Sequence, residues 1–306
     1  MYSVIVPVYN EEAVIEEAHK RLTAVMRSVG GAYELLYVND GSGDGTARIL
    51  RRLAEGDKCV RLLEFSRNFG HQAAITAGTD FARGDAVIII DADLQDPPEV
   101  IPRMIEKWRE GFEVVYGKRA KRKGETAFKK LTAAAYYRLL RRLTDVPLPV
   151  DAGDFRLLDK KVCAELKKIR EKNRYVRGIV NWVGFRHTYV EYIRDERFAG
   201  QTKYTLRKML RFAADGVTSF SSKPLTLASY LGAAFWLAGV ICLIAVLAGF
   251  SAAWAATLII AAFSNGTVLV MLGLTGEYIG RIYDESKQRP LYILRDKVGF
   301  DNAEGD

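Results

Sequence analysis

The N-terminal part of the chain alternates short apolar runs with longer amphipathic stretches. Runs rich in β-branched residues predict strands at 2–7, 33–39, 61–65, 86–90 and 112–116. Apolar residues at helical spacing between these runs predict helices at 11–29, 46–55, 70–82 and 98–110. This repetition predicts an α/β fold built on a doubly wound, mostly parallel sheet.

A second pattern begins at Pro224, from which the chain runs to Gly276 without a charged residue. The run is long enough for two membrane spans of about 20 residues each. It predicts an α-helical transmembrane hairpin, with spans at 225–248 and 254–276 joined by a turn at 249–251. A buried hairpin in a soluble protein is disfavoured, because core helices normally carry a polar face.

Basic residues flank the two predicted spans and are missing from the turn between them. The positive-inside rule therefore places both termini in the cytoplasm, with the protein in the inner (plasma) membrane. The predicted organisation is an α/β domain at 1–200, a juxtamembrane amphipathic segment at 201–223, two transmembrane helices within 224–280 and a cytoplasmic tail at 281–306.

The net charge of +8 lies entirely outside the predicted spans. One concentration of lysine and arginine runs from Lys118 to Arg142, and beside two spans it favours an anionic leaflet over nucleic acid as partner. Residues 128–143 suit a helix on the bilayer surface or an ordinary solvated helix. The three cysteines are not spaced as pairs, which argues against a disulfide framework or a zinc site.

Candidate chemistry is concentrated where the fourth predicted strand ends. The strand runs directly into Asp91-Ala92-Asp93, and Gln95 follows two residues later. Ligands bind at the carboxyl edge of open α/β sheets, and these oxygens suit a hard divalent cation that holds a diphosphate. Loops after the first and second strands, at 8–11 and 40–42, reach the same edge. The alternative is a polar strand exit, since an isolated D-x-D is common by chance.

Two competing motifs fail on spacing. Residues 41–45 are rich in glycine, but they lack the G-x-G-x-x-G spacing of a dinucleotide loop and follow the second strand. An EF-hand loop starting at Asp40 would need glutamate at its twelfth position, where the chain has Arg51. The chain also lacks a G-x-x-x-x-G-K-[ST] phosphate loop.

Four blocks of sequence together resemble family 2 glycosyltransferases of the GT-A fold. They are SVIVPVYNEE at 3–12, VNDGS at 38–42, SRNFG at 66–70 and DADLQDPPE at 91–99. Within that family the chain resembles the polyprenyl-phosphate sugar transferases, relatives of dolichol-phosphate mannose synthase, in their bacterial branch with two C-terminal transmembrane helices. The resemblance covers nearly the whole chain and keeps every block in order.

The resemblance implies a role for individual residues. The implied nucleotide-sugar pocket consists of Pro7, Asn10, Glu11, Asp40 and Asp91, with Asp40 near the base. The implied ligands of Mg²⁺ or Mn²⁺ on the diphosphate are Asp91, Asp93 and Gln95. The implied acceptor-phosphate residues are Arg119, Arg156, Arg197 and Lys203, and the implied catalytic set is Asp93, Asp154, Arg119 and Arg156. Asp154 is either a base or an orienting residue, and His71 is treated as structural.

The reaction implied is inverting transfer of a hexose from a nucleotide sugar to undecaprenyl phosphate on the cytoplasmic face. The donor expected is UDP-glucose or UDP-N-acetylglucosamine, and the lipid-linked monosaccharide would serve the cell envelope. The second pKa of a phosphate monoester is about 6, so the acceptor already carries a nucleophilic oxyanion at neutral pH. A strong general base is then unnecessary.

Other functions remain open at this point. A processive polysaccharide synthase is disfavoured because the chain lacks a Q-x-x-R-W-like segment and has only two predicted spans. A GDP-mannose-dependent polyprenyl-phosphate mannose synthase differs only in its donor. A non-enzymatic membrane scaffold is disfavoured by the intact acid pair. The family resemblance implies a homo-oligomer, such as a tetramer, and small residues in the predicted spans permit close helix packing.

Overall fold

The computed structural model describes residues 1–119, 152–172, 174–194, 223–249 and 253–300. The chain forms two compact units. The first consists of Met1–Ala134, Pro147–Tyr204 and Pro290–Asp306, and the second of Ala135–Val146 and Thr205–Arg289. The end of the chain therefore belongs to the first unit, although the second unit intervenes in the sequence.

The first unit alternates strands and helices as the hydrophobic pattern predicts. Its first elements are β1 (Tyr2–Val8), α1 (Ile15–Val29), β2 (Tyr33–Asn39), α2 (Thr46–Gly56), β3 (Val60–Phe65), α3 (His71–Phe81) and β4 (Ala86–Ile89). They are followed by a 3₁₀ turn (Pro98–Val100), α4 (Ile101–Arg109), β5 (Val114–Arg119), β6 (Ala152–Asp159), α5 (Lys160–Lys168), α6 (Val176–Trp182), β7 (His187–Tyr192) and β8 (Leu294–Val298). All elements predicted up to residue 116 are confirmed in type and order.

The largest shift in a boundary is at α1, which begins at Ile15 rather than at Glu11. The neighbouring loop holds the residues before the helix in a turn. The Glu11 N–H donates to Thr46 Oγ1 at 3.0 Å, and the Glu12 carboxylate accepts from the Gly45 N–H at 2.7 Å. These contacts with the loop after β2 replace the first turn that the acidic residues alone would favour.

The eight strands form one mixed sheet in the order β7-β5-β6-β4-β1-β2-β3-β8. The pairs β1–β2, β1–β4, β2–β3 and β5–β7 are parallel, whereas β6 and β8 run antiparallel to their neighbours. Strand β6 lies between β4 and β5, and Arg156 is in register with both Ile89 and Tyr116. Because β6 is antiparallel, its N-terminal residues reach the edge where β4 and β5 end.

Close packing sets the position of α3 on the sheet. Gly78 of α3 lies against β1, and a Cβ at this position would overlap the side chain of Ile5. Strand β1 beneath it is buried along its whole length, as expected of a sheet covered on both faces. Because α3 packs closely on β1, the first residue of the helix, His71, lies at the carboxyl edge of the sheet.

The C-terminal segment closes the other side of the sheet. Strand β8 pairs with β3, the Ser66 N–H donates to the Ile293 carbonyl at 3.0 Å, and the Tyr292 ring stacks on Phe65 at 5.3 Å. The sequence predicts only a cytoplasmic tail at 281–306, with no strand. The alternation of apolar and polar residues in this segment is short, so it does not distinguish a strand from an extended tail.

The described part of the second unit contains two helices, α7 (Lys223–Leu247) and α8 (Ala253–Ser286), which pack together. Within the described part of the chain, one helix, Ala256–Ser286, is long and apolar enough to cross a membrane, and α7 adds a shorter apolar stretch, Ala234–Leu247. Large apolar side chains on both helices are exposed, including Trp236 and Leu269. The predicted surface helix at 128–143 and the juxtamembrane residues 201–222 lie outside the described residues.

Candidate active site

The loops after β1 and β2 are fastened to each other by side-chain hydrogen bonds. Asn10 has a positive φ of 55° and accepts a hydrogen bond from the Gly43 N–H at 2.8 Å through its Oδ1. Its own N–H donates to Ser42 Oγ at 3.0 Å, and the Ser42 N–H donates to Asn39 Oδ1 at 3.1 Å. These contacts fix both loops at the carboxyl edge of the sheet.

Asp40 holds the loop that follows β3. Its buried carboxylate accepts hydrogen bonds from the backbone N–H groups of Phe69 at 2.7 Å and Gly70 at 2.9 Å, and from Asn68 Nδ2 at 3.0 Å. Burial raises the pKa of Asp40, and the backbone donors oppose that rise. Both oxygens of Asp40 are therefore engaged in positioning the loop at 66–70, which leads directly into α3.

The acid pair predicted to bind a metal lies in the turn after β4. Oδ1 of Asp91 is buried and has no hydrogen-bond partner among the described residues, with the His71 imidazole 3.6 Å away, and Oδ1 of Asp93 accepts from the Gln95 N–H at 3.1 Å. Leu94 folds the turn with a positive φ of 57°. Burial raises the pKa of Asp91 to about 6, and the charges of neighbouring acids add to the rise while His71 opposes it.

A buried carboxylate oxygen without a partner is costly, and a bound cation would satisfy it. Asp91 and Asp93 therefore fit a hard divalent cation, with Gln95 in the same turn. Across the described ranges, no three His, Cys, Asp or Glu side chains converge as a metal cluster. Mg²⁺ is commonly held by one or two carboxylates together with substrate phosphates, so such a pair suits a cation that arrives with a diphosphate.

His71 bridges two carboxylates at this edge, although the sequence analysis treats it as structural. Its Nε2 lies 3.3 Å from Asp154 Oδ2 and 3.6 Å from Asp91 Oδ1. Burial lowers the pKa of His71, but the hydrogen bond to Asp154 and the charge of Asp91 outweigh it and raise the pKa to about 9. The imidazole is therefore cationic at neutral pH. The one feature of the sequence that could have indicated a functional role for His71 is its position directly after the SRNFG block at 66–70.

Asp154 is surrounded by cations. Arg177 donates to both of its oxygens, through Nε at 2.9 Å and Nη2 at 2.8 Å, and Arg156 donates to Oδ1 at 3.2 Å. Burial alone would raise the pKa of Asp154, but these arginines and His71 hold it well below its usual range. Arg177 comes from α6 and is not among the residues predicted from the sequence, because no motif includes it.

Asp96 forms a second buried carboxylate site with two arginines. Arg119 Nη2 lies 3.5 Å from Asp96 Oδ2, and Arg194 Nε lies 3.4 Å from Oδ1. The Tyr192 hydroxyl donates to Oδ1 at 2.5 Å and accepts from Arg119 Nε at 3.3 Å. Gly153 leaves room for this arrangement, since a Cβ there would lie 2.8 Å from Arg119 Nη2.

The other predicted residues occupy different environments. Pro7 is buried within β1, in register with Val38, and Arg156 is 1% exposed with Nη1 lacking a hydrogen-bond partner. Arg197 and Lys203 lie outside the described residues. The structure thus brings Asn10, Asp40, Asp91, Asp93, Arg119, Asp154 and Arg156 to strand ends or loops at one edge of the sheet.

Comparison with known proteins shows the family to which the chain belongs. Residues 3–167 match the family model described as glycosyl transferase family 2. The chain is 56% identical to the uncharacterized glycosyltransferase YkcC of Bacillus subtilis, over 98% of this chain and 95% of that protein. It is 40% identical to the bactoprenol glucosyl transferase of Shigella phage SfV, over 96% of this chain and 98% of that protein.

Among solved structures, the mannosyltransferase PcManGT of Pyrobaculum calidifontis, crystallised with GDP-Man and Mn²⁺, is 18% identical with a TM-score of 0.46. That match covers 89% of this chain and 86% of the other. The family assignment rests on the sequence comparisons, which extend over nearly the whole chain. The protein belongs to glycosyl transferase family 2 and is a glycosyltransferase.

Proposed function

We propose that the protein transfers glucose from a nucleotide sugar to a polyprenyl phosphate at the membrane. The observation that carries the proposal is one sheet edge that carries both an acid pair, with a buried oxygen that lacks a hydrogen bond, and two arginines, the partly exposed Arg119 and the buried Arg156. The acids suit a metal-bound diphosphate and the arginines suit phosphate. The name of the bactoprenol glucosyl transferase, which is 40% identical over 96% of this chain, supports both the sugar and the lipid.

The donor half of the proposed site consists of Asn10, Glu11, Asp40 and the turn after β4, with Pro7 in the strand beneath. Asp91, Asp93 and Gln95 would hold Mg²⁺ or Mn²⁺, and such a cation stabilises the charge that develops on a departing diphosphate. The unsatisfied Oδ1 of Asp91 supports this assignment. UDP-glucose is the proposed donor, with UDP-N-acetylglucosamine and GDP-mannose as alternatives.

We assign Asp154 an orienting role rather than that of a general base. Its oxygens are held by Arg177 at 2.8 and 2.9 Å, and its pKa is lowered by the surrounding cations, so it accepts a proton poorly. A base is not required, because a lipid phosphate with a second pKa of about 6 is already ionised. Single displacement by that oxyanion inverts the anomeric carbon.

On the acceptor side, Arg119 is proposed to bind the phosphate. Its side chain is partly exposed, with 15% of its surface accessible. Arg156 is buried and acts through Asp154, which it contacts directly. Arg197 and Lys203 are proposed as further phosphate contacts on the family resemblance alone. Guanidinium groups bind phosphate oxygens in pairs, so one arginine can orient the acceptor as well as neutralise it.

The membrane arrangement is part of the same proposal. We infer that both apolar helices cross the inner membrane, with the 1–200 domain and both termini in the cytoplasm and 201–223 at the membrane surface. The exposed apolar side chains of α7 and α8, and the basic residues that flank them, support this topology. A homo-oligomer, such as a tetramer, is also proposed.

The test is a transfer assay with the purified full-length protein in lipid. Undecaprenyl phosphate and Mn²⁺ or Mg²⁺ are incubated with labelled UDP-glucose, and with UDP-N-acetylglucosamine and GDP-mannose in parallel. We expect one glucose per lipid, β-linked from the α-linked donor, and little transfer from the other donors. Absence of a lipid-linked product with all three donors would refute the proposal, and a polymeric product would favour a synthase.

A further inference from the structure

We propose that Arg194 is a second phosphate-binding residue, which the buried carboxylate of Asp96 holds beside Arg119 for the phosphate monoester of the lipid acceptor. The identity of the lipid rests on the proposed function, whereas the phosphate site rests on the geometry below. Arg194 lies outside the sequence blocks that carry the family resemblance. Asp96, which it contacts, lies within one of them, at 91–99.

Asp96 is the centre of this cluster. Its side chain has no exposed surface, and the Tyr192 hydroxyl fixes one of its oxygens with a hydrogen bond of 2.5 Å. Arg119 and Arg194 approach different oxygens of the same carboxylate, at 3.5 and 3.4 Å. A buried carboxylate held in one orientation therefore fixes two guanidinium groups next to each other.

The charges in the cluster do not balance. One carboxylate faces two guanidinium groups, and Tyr192 stays neutral because burial and the charge of Asp96 raise its pKa. The opposite arrangement, one guanidinium group with two carboxylates, occurs at Arg51, which pairs with both Glu64 and Asp296. Counted over the described residues in contact with Asp96, the cluster thus carries one positive charge in excess, and a bound anion would neutralise it.

The excess charge lies on the accessible side of the cluster. Asp96 is fully buried, whereas 15% of the Arg119 side chain and 29% of the Arg194 side chain are exposed. Arg194 Nε is buried and lies 3.4 Å from Asp96 Oδ1 without a hydrogen bond to any described residue. Two partly exposed guanidinium groups held by the same carboxylate match the oxygens of a phosphate.

The cluster also lies at the correct edge of the sheet for the reaction. Arg119 ends β5 and is in register with Tyr192, the last residue of β7, so Arg194 leaves the sheet on the same side. Asp96 itself belongs to the turn that carries Asp91 and Asp93. A phosphate bound by both arginines would therefore be presented next to the proposed donor site, as in-line attack requires.

The experiment compares Arg194→Gln with Arg186→Gln in the purified full-length protein. Arg186 precedes β7 and packs over the Phe112 ring at 5.4 Å, so it is a matched arginine at the opposite end of the same strand. Calorimetry measures binding of farnesyl phosphate, a short lipid monophosphate, and of farnesol as the control without phosphate. The KM values for lipid phosphate and for UDP-glucose are measured separately.

We expect Arg194→Gln to weaken farnesyl phosphate binding and raise the KM for the lipid about tenfold to a hundredfold, which is the range for loss of charged hydrogen bonds. The KM for UDP-glucose and the binding of farnesol should stay within about twofold. Arg194→Lys should recover part of the loss, since it keeps the charge but not the planar fork. Arg186→Gln should behave as the unaltered protein.

Unchanged binding of farnesyl phosphate in Arg194→Gln would overturn the inference, as would a selective rise in the KM for UDP-glucose. If Arg194→Gln is too unstable to purify, Arg194→Lys is tested in the same binding assay. Farnesyl phosphate binding by Arg194→Lys as tight as in the unaltered protein would overturn the inference. Loss of binding in a protein that transfers no sugar to any lipid would keep the phosphate site and refute the proposed function instead.

Discussion

The two sides of the sheet edge stabilise buried charge by different means. On the donor side, backbone N–H groups and one amide surround the carboxylate of Asp40. On the acceptor side, each buried carboxylate is held by a pair of arginines: Asp96 by Arg119 and Arg194, and Asp154 by Arg156 and Arg177. The first arrangement depends on the fold of a loop, and the second depends on side chains from separate elements.

The difference has a consequence for substitutions. Backbone donors persist when a side chain is changed, so single substitutions on the donor side affect one loop at a time. On the acceptor side, removal of one carboxylate takes the charged partner away from two arginines that are buried or partly buried, and an unpaired buried charge is costly. The following predictions test this contrast, beginning with the largest expected effect.

The first prediction concerns Asp154→Asn. We expect it to lower the free energy of unfolding by about 3 kcal/mol, because the buried guanidinium of Arg156 loses its charged partner, whereas Arg177, with 31% of its side chain exposed, is partly compensated by water. Denaturant titration of the detergent-purified protein measures the change. A loss of transfer activity with unchanged stability would instead indicate that Asp154 acts as a base.

The same variant should show a defined pH dependence. The folded protein lowers the pKa of Asp154 below its ordinary value of 3.8, so its ionised form stabilises the fold above that value and less as the pH falls below it. The stability difference between the unaltered protein and Asp154→Asn should be constant between about pH 7 and pH 5 and shrink below about pH 4. A constant difference at all pH values would contradict the lowered pKa.

The second prediction concerns the proposed metal ligand Asp93. Asp93→Ala should lower the transfer rate roughly 10²–10³-fold, the range found when a stabilising group for transition-state charge is removed. It should also weaken Mn²⁺ binding in the presence of UDP, measured by electron paramagnetic resonance. Asp85→Ala is the control, because Asp85 precedes β4 and pairs with the N-terminus at 3.0 Å. Equal effects of the two substitutions would argue against a metal role.

The third prediction concerns the loop after β2. Gly41 has a φ of 65°, and a Cβ there would overlap the backbone of Arg67. We expect Gly41→Ala to destabilise the protein by about 1–3 kcal/mol and to raise the KM for the donor more than that for the acceptor. Gly43→Ala is the control, since a Cβ at Gly43 meets nothing within 4 Å. Similar behaviour of the two variants would contradict the close approach of the loops.

The smallest effect is expected for the histidines. The raised pKa of His71, about 9, means that its cationic form stabilises the metal-free fold below its ordinary pKa of 6.5 and that this contribution disappears as the pH rises through 9. His71→Gln should therefore lose at most about 1 kcal/mol near pH 6 and less at higher pH.

His19 provides a control of opposite sign. Burial lowers its pKa, so its protonation opposes folding at acidic pH, and His19→Gln should gain stability relative to the unaltered protein as the pH falls. Chemical denaturation at several pH values, without added metal, separates the two cases. The same pH dependence for both variants would show that the charge of His71 is not coupled to the two carboxylates.

The place of the donor-side residues at this edge could be predicted from the sequence, because it follows from the alternation of strands and helices. The hydrophobic periodicity of residues 2–116 predicts the strands, and the carboxyl ends of parallel strands meet at one edge. Asn10, Asp40 and Asp91 therefore reach that edge whatever the details of packing. The largest boundary shift, at α1, occurs where a loop competes with the first turn of a helix.

The acceptor side depends on long-range pairs that no local pattern encodes. His71 and Asp154 are 83 positions apart in the sequence and meet only because β6 inserts between β4 and β5. Arg177 lies on a short helix without a recognisable motif, and Arg194 follows an edge strand. Prediction of these residues would have required the antiparallel placement of β6, which the alternation of strands and helices does not reveal.

The pairing of β8 with β3 also affects how the protein is made. The α/β sheet lacks its last strand until the ribosome has synthesised both apolar helices, because Leu294–Val298 follows them in the chain. Throughout that interval β3 is an open edge in a nascent chain, and open edges invite pairing with other chains. Completion of the sheet therefore waits for synthesis of the two apolar helices, and a delay in that synthesis would leave β3 open to pairing with other chains.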